Sequence, residues 1–127
     1  MRLSLVLLVF LGGGIGSVAR YAMATALQRT FSSPFPVGTF AVNLLGCFAI
    51  GLVGALGLER AAISPEARTF VMVGILGGFT TFSSFAWESL GLITVRDVLR
   101  ASLYVGGSVL CGLLGAFLGR SMGRIGA

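Results

Sequence analysis

Four long stretches without a single Asp, Glu, Lys or Arg dictate what this chain can become. They hold 17 residues between Arg2 and Arg20, 29 between Arg29 and Glu59, 19 between Arg68 and Glu88, and 19 between Arg100 and Arg120. Together they take up 84 of the 127 residues. A helix crosses the roughly 30 Å hydrocarbon core of a bilayer with about 20 predominantly apolar residues. The pattern therefore predicts an all-α membrane protein: one four-helix transmembrane domain over residues 1–127, with almost nothing left for a soluble unit. Composition agrees, with 10% charged residues against about 25% in soluble domains.

The same scarcity excludes most chemistry. The chain has no His, and its cations are nine Arg without a Lys. Cys47 and Cys111 lie inside apolar blocks and form no CxxC, so thiol–disulfide exchange and zinc binding lack ligands. They read as small apolar packing residues. The four acids, Glu59, Glu66, Glu88 and Asp97, form no close pair for acid–base work, and no phosphate-cradling loop is present. The chain reads as a non-enzyme, and any work must draw on an ion or substrate gradient. Its charge of +5 lies at helix ends, which suits membrane lipid headgroups rather than nucleic acid.

Helix one is expected at about 3–27. Arg2, an apolar run and Ser17-Val18-Ala19 imitate a signal peptide. However, the cluster Gly12-Gly13-Gly14-Ile15-Gly16 suits helix packing, and Gly12 and Gly16 form a GxxxG face. A loop from Gln28 to Pro36 precedes helix two at about 37–58. Ser64-Pro65-Glu66 reads as an N-cap followed by proline at the first helical position, opening helix three at about 66–94. After the polar turn Arg96 to Arg100, helix four covers about 98–119, with Arg120 and Arg124 as a basic tail. On it Gly107, Cys111, Gly115 and Gly119 form a stripe for close helix contact.

Helix three is anomalous. Gly77-Gly78-Phe79-Thr80-Thr81-Phe82-Ser83-Ser84 is a poor helix former near the middle of a span. Two readings stand: a break at mid-membrane, where freed carbonyls and half-helix ends bind ions, or tight packing with hydroxyls bonded back to the i−4 carbonyl. Thr81 and Ser83 are candidates on either. Asn43 is either interhelical glue or a donor facing a path. Arg20 either snorkels to the headgroups or lines a vestibule that concentrates anions. Phe82 and Phe85, three apart, share a helix face; they are core aromatics or present positive ring edges to an anion. Tyr104, Ser108 and Gly112 are a lipid-interface Tyr with a satisfied Ser, or a polar track. Glu88 is the acid flanked by apolar sequence on both sides, and so a functional candidate.

Orientation is poorly specified. One face of a four-span chain collects Arg2, Arg60, Arg68, Arg120 and Arg124; the other collects Arg29, Arg96 and Arg100, with Arg20 pointing that way. Such a weak bias permits insertion both ways and hence an antiparallel dimer.

The run Gly77 to Phe85 resembles the Fluc (CrcB) family of fluoride channels. Gly12 to Tyr21, Pro36 to Gly46 and the Tyr104/Ser108 pair match in order, so the similarity covers essentially the whole chain. The resemblance implies an antiparallel, dual-topology homodimer of four-helix subunits with two fluoride pores and a central sodium ion, in the bacterial cell (inner) membrane. By carry-over, the backbone carbonyls of Gly77 and Thr80 would hold Na+ and Phe82 and Phe85 would line the pore beside Asn43. Tyr104 and Ser108 would form the polar track, and Arg20 would sit toward the vestibule. Gly112 departs from the pattern, since the family often has a hydroxyl there. The implied activity is passive fluoride export giving fluoride resistance. Two rivals are a small dual-topology, proton-coupled multidrug exporter, for which Glu88 would be the proton-binding carboxylate, and a structural membrane-assembly subunit.

Overall fold

The computed structural model describes residues 2–125, and these are entirely helical apart from short connections. Four segments are long and apolar enough to cross a membrane: Leu3–Phe31, Val37–Glu59, Pro65–Thr94 and Val98–Arg124. The first, second and fourth are the helices α1, α2 and α5. The third is two helices in line, α3 (65–79) and α4 (Phe82–Thr94), separated by Thr80 and Thr81. At about 1.5 Å per residue neither half alone spans a 30 Å core. The chain is a multi-pass membrane protein with an interrupted third span.

Several helix ends fall beyond their expected positions. α1 continues past Leu27 to Phe31, because the Gln28 side chain serves the turn that follows. Its amide nitrogen Nε2 donates to the carbonyls of Ser33 (2.6 Å) and Phe35 (3.3 Å), while its Oε1 accepts from Gly38 N–H (3.2 Å). α5 runs through the basic tail to Arg124 instead of stopping at Gly119, because the tail arginines pair with the end of α2. The start of α3 follows the sequence pattern: the Ser64 hydroxyl accepts from Ala67 N–H, with Pro65 in the first turn. Asp97 caps α5 in the same way through Arg100 N–H and also pairs with the Arg100 guanidinium at 2.6 Å.

The burial pattern is inverted relative to a soluble protein. Leu, Ile, Val and Phe cover the outside, whereas many buried positions are glycines. Lipid tails remove the hydrophobic penalty for exposing large side chains, so helices associate by close backbone approach at small residues. α1 lies on α3 through Gly12 and Gly16; a Cβ on Gly16 would stand 2.0 Å from the Ile75 carbonyl oxygen. α2 lies on α5 in the most extensive helix pairing. There a Cβ on Gly119 would stand 2.0 Å from the Phe48 carbonyl oxygen, and Gly115 faces Leu44. The small-residue stripe of α5 thus faces α2, joined by Gly112 and Gly123. These two backbone-to-backbone pairs carry the interrupted span between them.

Candidate functional site at the interrupted third span

α3 ends where Thr80 turns extended (ψ 156°), and Thr81 stays extended (φ −150°, ψ 118°). Thr80 closes the last turn twice, donating both its N–H (3.0 Å) and its hydroxyl (2.9 Å) to the Leu76 carbonyl. The Thr81 hydroxyl starts α4 by accepting from Ser84 N–H at 3.2 Å, and it donates to Ser84 Oγ at 3.1 Å. Buried peptide groups outside a helix must find partners elsewhere. Asn43 of α2 supplies both for Thr81: its Oδ1 accepts the Thr81 N–H at 2.8 Å and its Nδ2 donates to the Thr81 carbonyl at 3.0 Å. Asn43 is therefore interhelical glue, with one amide hydrogen left over for anything beside it.

Because the Thr81 N–H goes to Asn43, the Gly77 carbonyl loses its helical donor. Among the described residues no donor reaches the Thr80 carbonyl. The Gly78 carbonyl is taken by Arg20, whose Nε–H donates at 3.0 Å, with the Ser17 hydroxyl at 3.5 Å. A guanidinium there complements the negative end of the α3 dipole. Arg20 thus points inward to the break, and it also borders a recess of about 330 Å³ with Ser17, Tyr21, Thr25, Thr39 and Ser84. Its headgroup-snorkelling reading does not hold, because its Nε–H is turned to the Gly78 carbonyl at the break.

On the other side of Thr81 lies a second cleft, of about 320 Å³. Asn43, Phe82, Phe85 and Ser108 meet there, and Gly46, Cys47, Ile50, Thr80, Thr81 and Val109 form the rest of the wall. The two rings stand 5.5 Å apart at 45°. Phe82 is 79% exposed, so it is not a core aromatic of the protomer. The Ser108 hydroxyl is buried yet has no hydrogen-bond partner among the described residues. Helical serines usually satisfy themselves on the preceding turn, so this one is a donor and acceptor with nothing assigned to it.

The expected track along α5 divides. Ser108 borders the cleft, but Tyr104 does not: it is fully buried behind Phe85, with ring centroids 5.4 Å apart, and packs edge-on against Phe35. Its hydroxyl donates to Glu88 Oε2 at 2.6 Å, and the Thr39 hydroxyl donates to Glu88 Oε1 at 2.7 Å. Glu88 is thereby the hub of a polar cluster joining α2, α4 and α5. Gly112 packs toward α2, where a Cβ would stand 3.3 Å from Cys47 Sγ. Ser83 is exposed, its hydroxyl 3.3 Å from that of Thr81. Sequence reasoning missed Thr39 as a partner of Glu88. Its position one helical turn before Asn43 was the available signal, since both then share a face of α2.

A four-span membrane protein with a break pinned from two neighbouring helices, and aromatic and hydroxyl groups around it, has the build of a small transport protein rather than of a catalyst. A family model described as "CrcB-like protein, Camphor Resistance (CrcB)" matches residues 7–120. The chain is 50% identical over 117 residues to a fluoride-specific ion channel FluC of Thermus thermophilus, covering 92% of this chain and 91% of that one. It is 48% identical over 120 residues to the protein of that name from Chlorobaculum tepidum, 94% of each chain. A third protein of that name, from Nitratidesulfovibrio vulgaris, is 43% identical over 120 residues, 94% of this chain and 97% of that one. The chain belongs to the CrcB family.

Proposed function

We propose that this protein is a fluoride-selective channel. Two oppositely inserted copies enclose two narrow paths, and fluoride leaves the cytoplasm of a bacterial cell through them by passive conduction. The names of the relatives support the substrate. One structural observation carries the path: Phe82, Phe85, Asn43 and the unbonded Ser108 hydroxyl border one cleft. Fluoride is small and strongly hydrated, so a narrow path must replace its water with donors. The Ser108 O–H, the remaining Asn43 N–H and the positive ring edges of Phe82 and Phe85 are neutral donors of this kind. They can shed the ion as readily as they accept it, which conduction requires. A negative-inside potential drives the anion outward with about 2.3 kcal/mol per charge per 100 mV. Arg20, at the neighbouring recess, adds a positive field that gathers anions.

In the same reading, the carbonyls of Gly77 and Thr80 are the groups that would hold a sodium ion, which would supply a fixed positive charge beside the break. Their donor set fits: neutral backbone oxygens suit a hard cation, and both carbonyls lack helical donors. The dimer and its dual topology draw on the weak arginine bias and on the exposure of Gly77 and Phe82 on the protomer. The exporter alternative is disfavoured by one observation: Glu88 is held by two hydroxyl donors, whereas that role needs a carboxylate free to exchange a proton for a cation. Fluoride efflux from proteoliposomes, read with a fluoride electrode, tests the proposal. Fast efflux that is selective over chloride and sharply reduced by Phe82→Ile supports it; vesicles that retain fluoride overturn it.

A further inference from the structure

At the end of the bundle away from the Arg96–Arg100 turn, two arginines of α5 converge on one carboxylate. Arg120 donates its Nε–H to Glu59 Oε1 at 2.6 Å, and Arg124 donates its Nε–H to Glu59 Oε2. Each pairs through Nε, their Nη groups have no partner among the described residues, and the two side chains are 55% and 54% exposed. Two guanidinium groups against one carboxylate leave one positive charge in surplus. The platform beneath them is rigid: Arg60 Nη1 donates to the Gly123 carbonyl at 3.1 Å, and a Cβ on Gly123 would stand 2.7 Å from Ala55 Cβ.

Positions 113, 117, 120 and 124 fall on one face of a 3.6-residue helix. Arg120 and Arg124 therefore stand directly over Phe117 and Leu113, which are 65% and 67% exposed. Oriented N–H donors with surplus positive charge, at the top of an apolar stripe on a membrane-spanning helix, match one ligand chemistry: a phosphate joined to acyl chains.

We propose that Arg120 and Arg124, positioned by Glu59, form a binding site for an anionic phospholipid. The phosphodiester takes the free Nη groups, and an acyl chain lies along Phe117 and Leu113. Free phosphate would use the guanidinium groups and leave the stripe unused. A zwitterionic lipid brings a cation of its own against the surplus charge, so the anionic headgroup is preferred.

The test is native mass spectrometry of the purified full-length protein with phosphatidylglycerol and phosphatidylcholine of matched chains, with inorganic phosphate as competitor. Wild type is expected to prefer the anionic lipid by about fivefold, since one surplus basic charge near the surface contributes about 1 kcal/mol. Millimolar phosphate should leave that preference intact. Arg120→Gln/Arg124→Gln should erase it, and an unchanged preference overturns the site. Displacement by phosphate also overturns it, in favour of a simple anion site. Should the double variant not fold, the single variants Arg120→Gln and Arg124→Gln decide: each should lower the preference, and an unchanged preference in both overturns the proposal.

Discussion

Asn43 and Thr81, 38 positions apart in sequence, exchange two hydrogen bonds of 2.8 and 3.0 Å that replace the helical bonds lost where the third span is interrupted. The amide offers one acceptor and one donor in the spacing of a peptide group, so it acts as a substitute for a helix turn. An ionised carboxylate, which only accepts, would satisfy one half.

Asn43→Ala should therefore harm both fold and transport. Each unsatisfied buried peptide group costs about 1–3 kcal/mol, and the break would re-form differently, displacing Phe82 and Phe85. The expected outcome is a clear fall in thermal stability by size-exclusion assay and fluoride efflux reduced by at least about tenfold. Asn43→Asp, which keeps the acceptor but loses the donor, should fall between. Wild-type behaviour in Asn43→Ala would mean the break is held by something else.

Ser108→Ala should separate transport from stability. Its hydroxyl has no partner to lose among the described residues, so removing it should change the melting temperature little. Efflux should still slow, because one of the few neutral donors at the cleft is gone. Equal losses of stability and flux would show that the hydroxyl bonds within the fold.

The glycine run of α1 offers an internal control. A methyl on Gly16 would stand 2.0 Å from a backbone oxygen of α3, whereas one on Gly14 meets nothing within 4 Å in the protomer. Gly16→Ala should destabilise the protein by about 1–3 kcal/mol or more, and Gly14→Ala should be tolerated by the protomer fold. Tryptophan fluorescence from the single Trp87 during denaturant titration reads both.

Thr39→Val and Tyr104→Phe each remove one donor from Glu88. Each lost hydrogen bond should cost about 0.5–1.5 kcal/mol, and the two losses should be non-additive because both hydroxyls bond the same carboxyl group, one on each oxygen. Thermal melts of the single and double variants give the coupling. Strict additivity would indicate that the two hydroxyls act independently of the carboxylate.

What was legible in the sequence follows from what is local. Charge-free blocks are a one-dimensional signal, and a bilayer converts them directly into spans. Gly77, Gly78, Thr80 and Thr81 announce weak helix by their own propensities, so the break at 80–81 lies inside the expected stretch. The partners were not legible. Asn43 meets Thr81, Arg20 meets Gly78 and Thr39 meets Glu88 across 38 to 58 positions, and a single chain carries no record of which polar group answers another. The same gap put Tyr104 on a track beside Ser108: four residues apart, they do share a helix face, but Phe85 stands over the first and not the second. Helix ends run past their expected positions for a related reason, since Gln28 and Arg124 look like loop and tail until the carbonyls and carboxylate that hold them are seen.

The glycine seams between α1 and α3 and between α2 and α5 have a mechanical consequence. Where backbones already touch, one rod cannot slide past its neighbour without collision, so neither pair has a compliant joint inside it. Any switching between conducting and quiet forms should then leave each of the two pairs intact, moving as a unit if it moves at all.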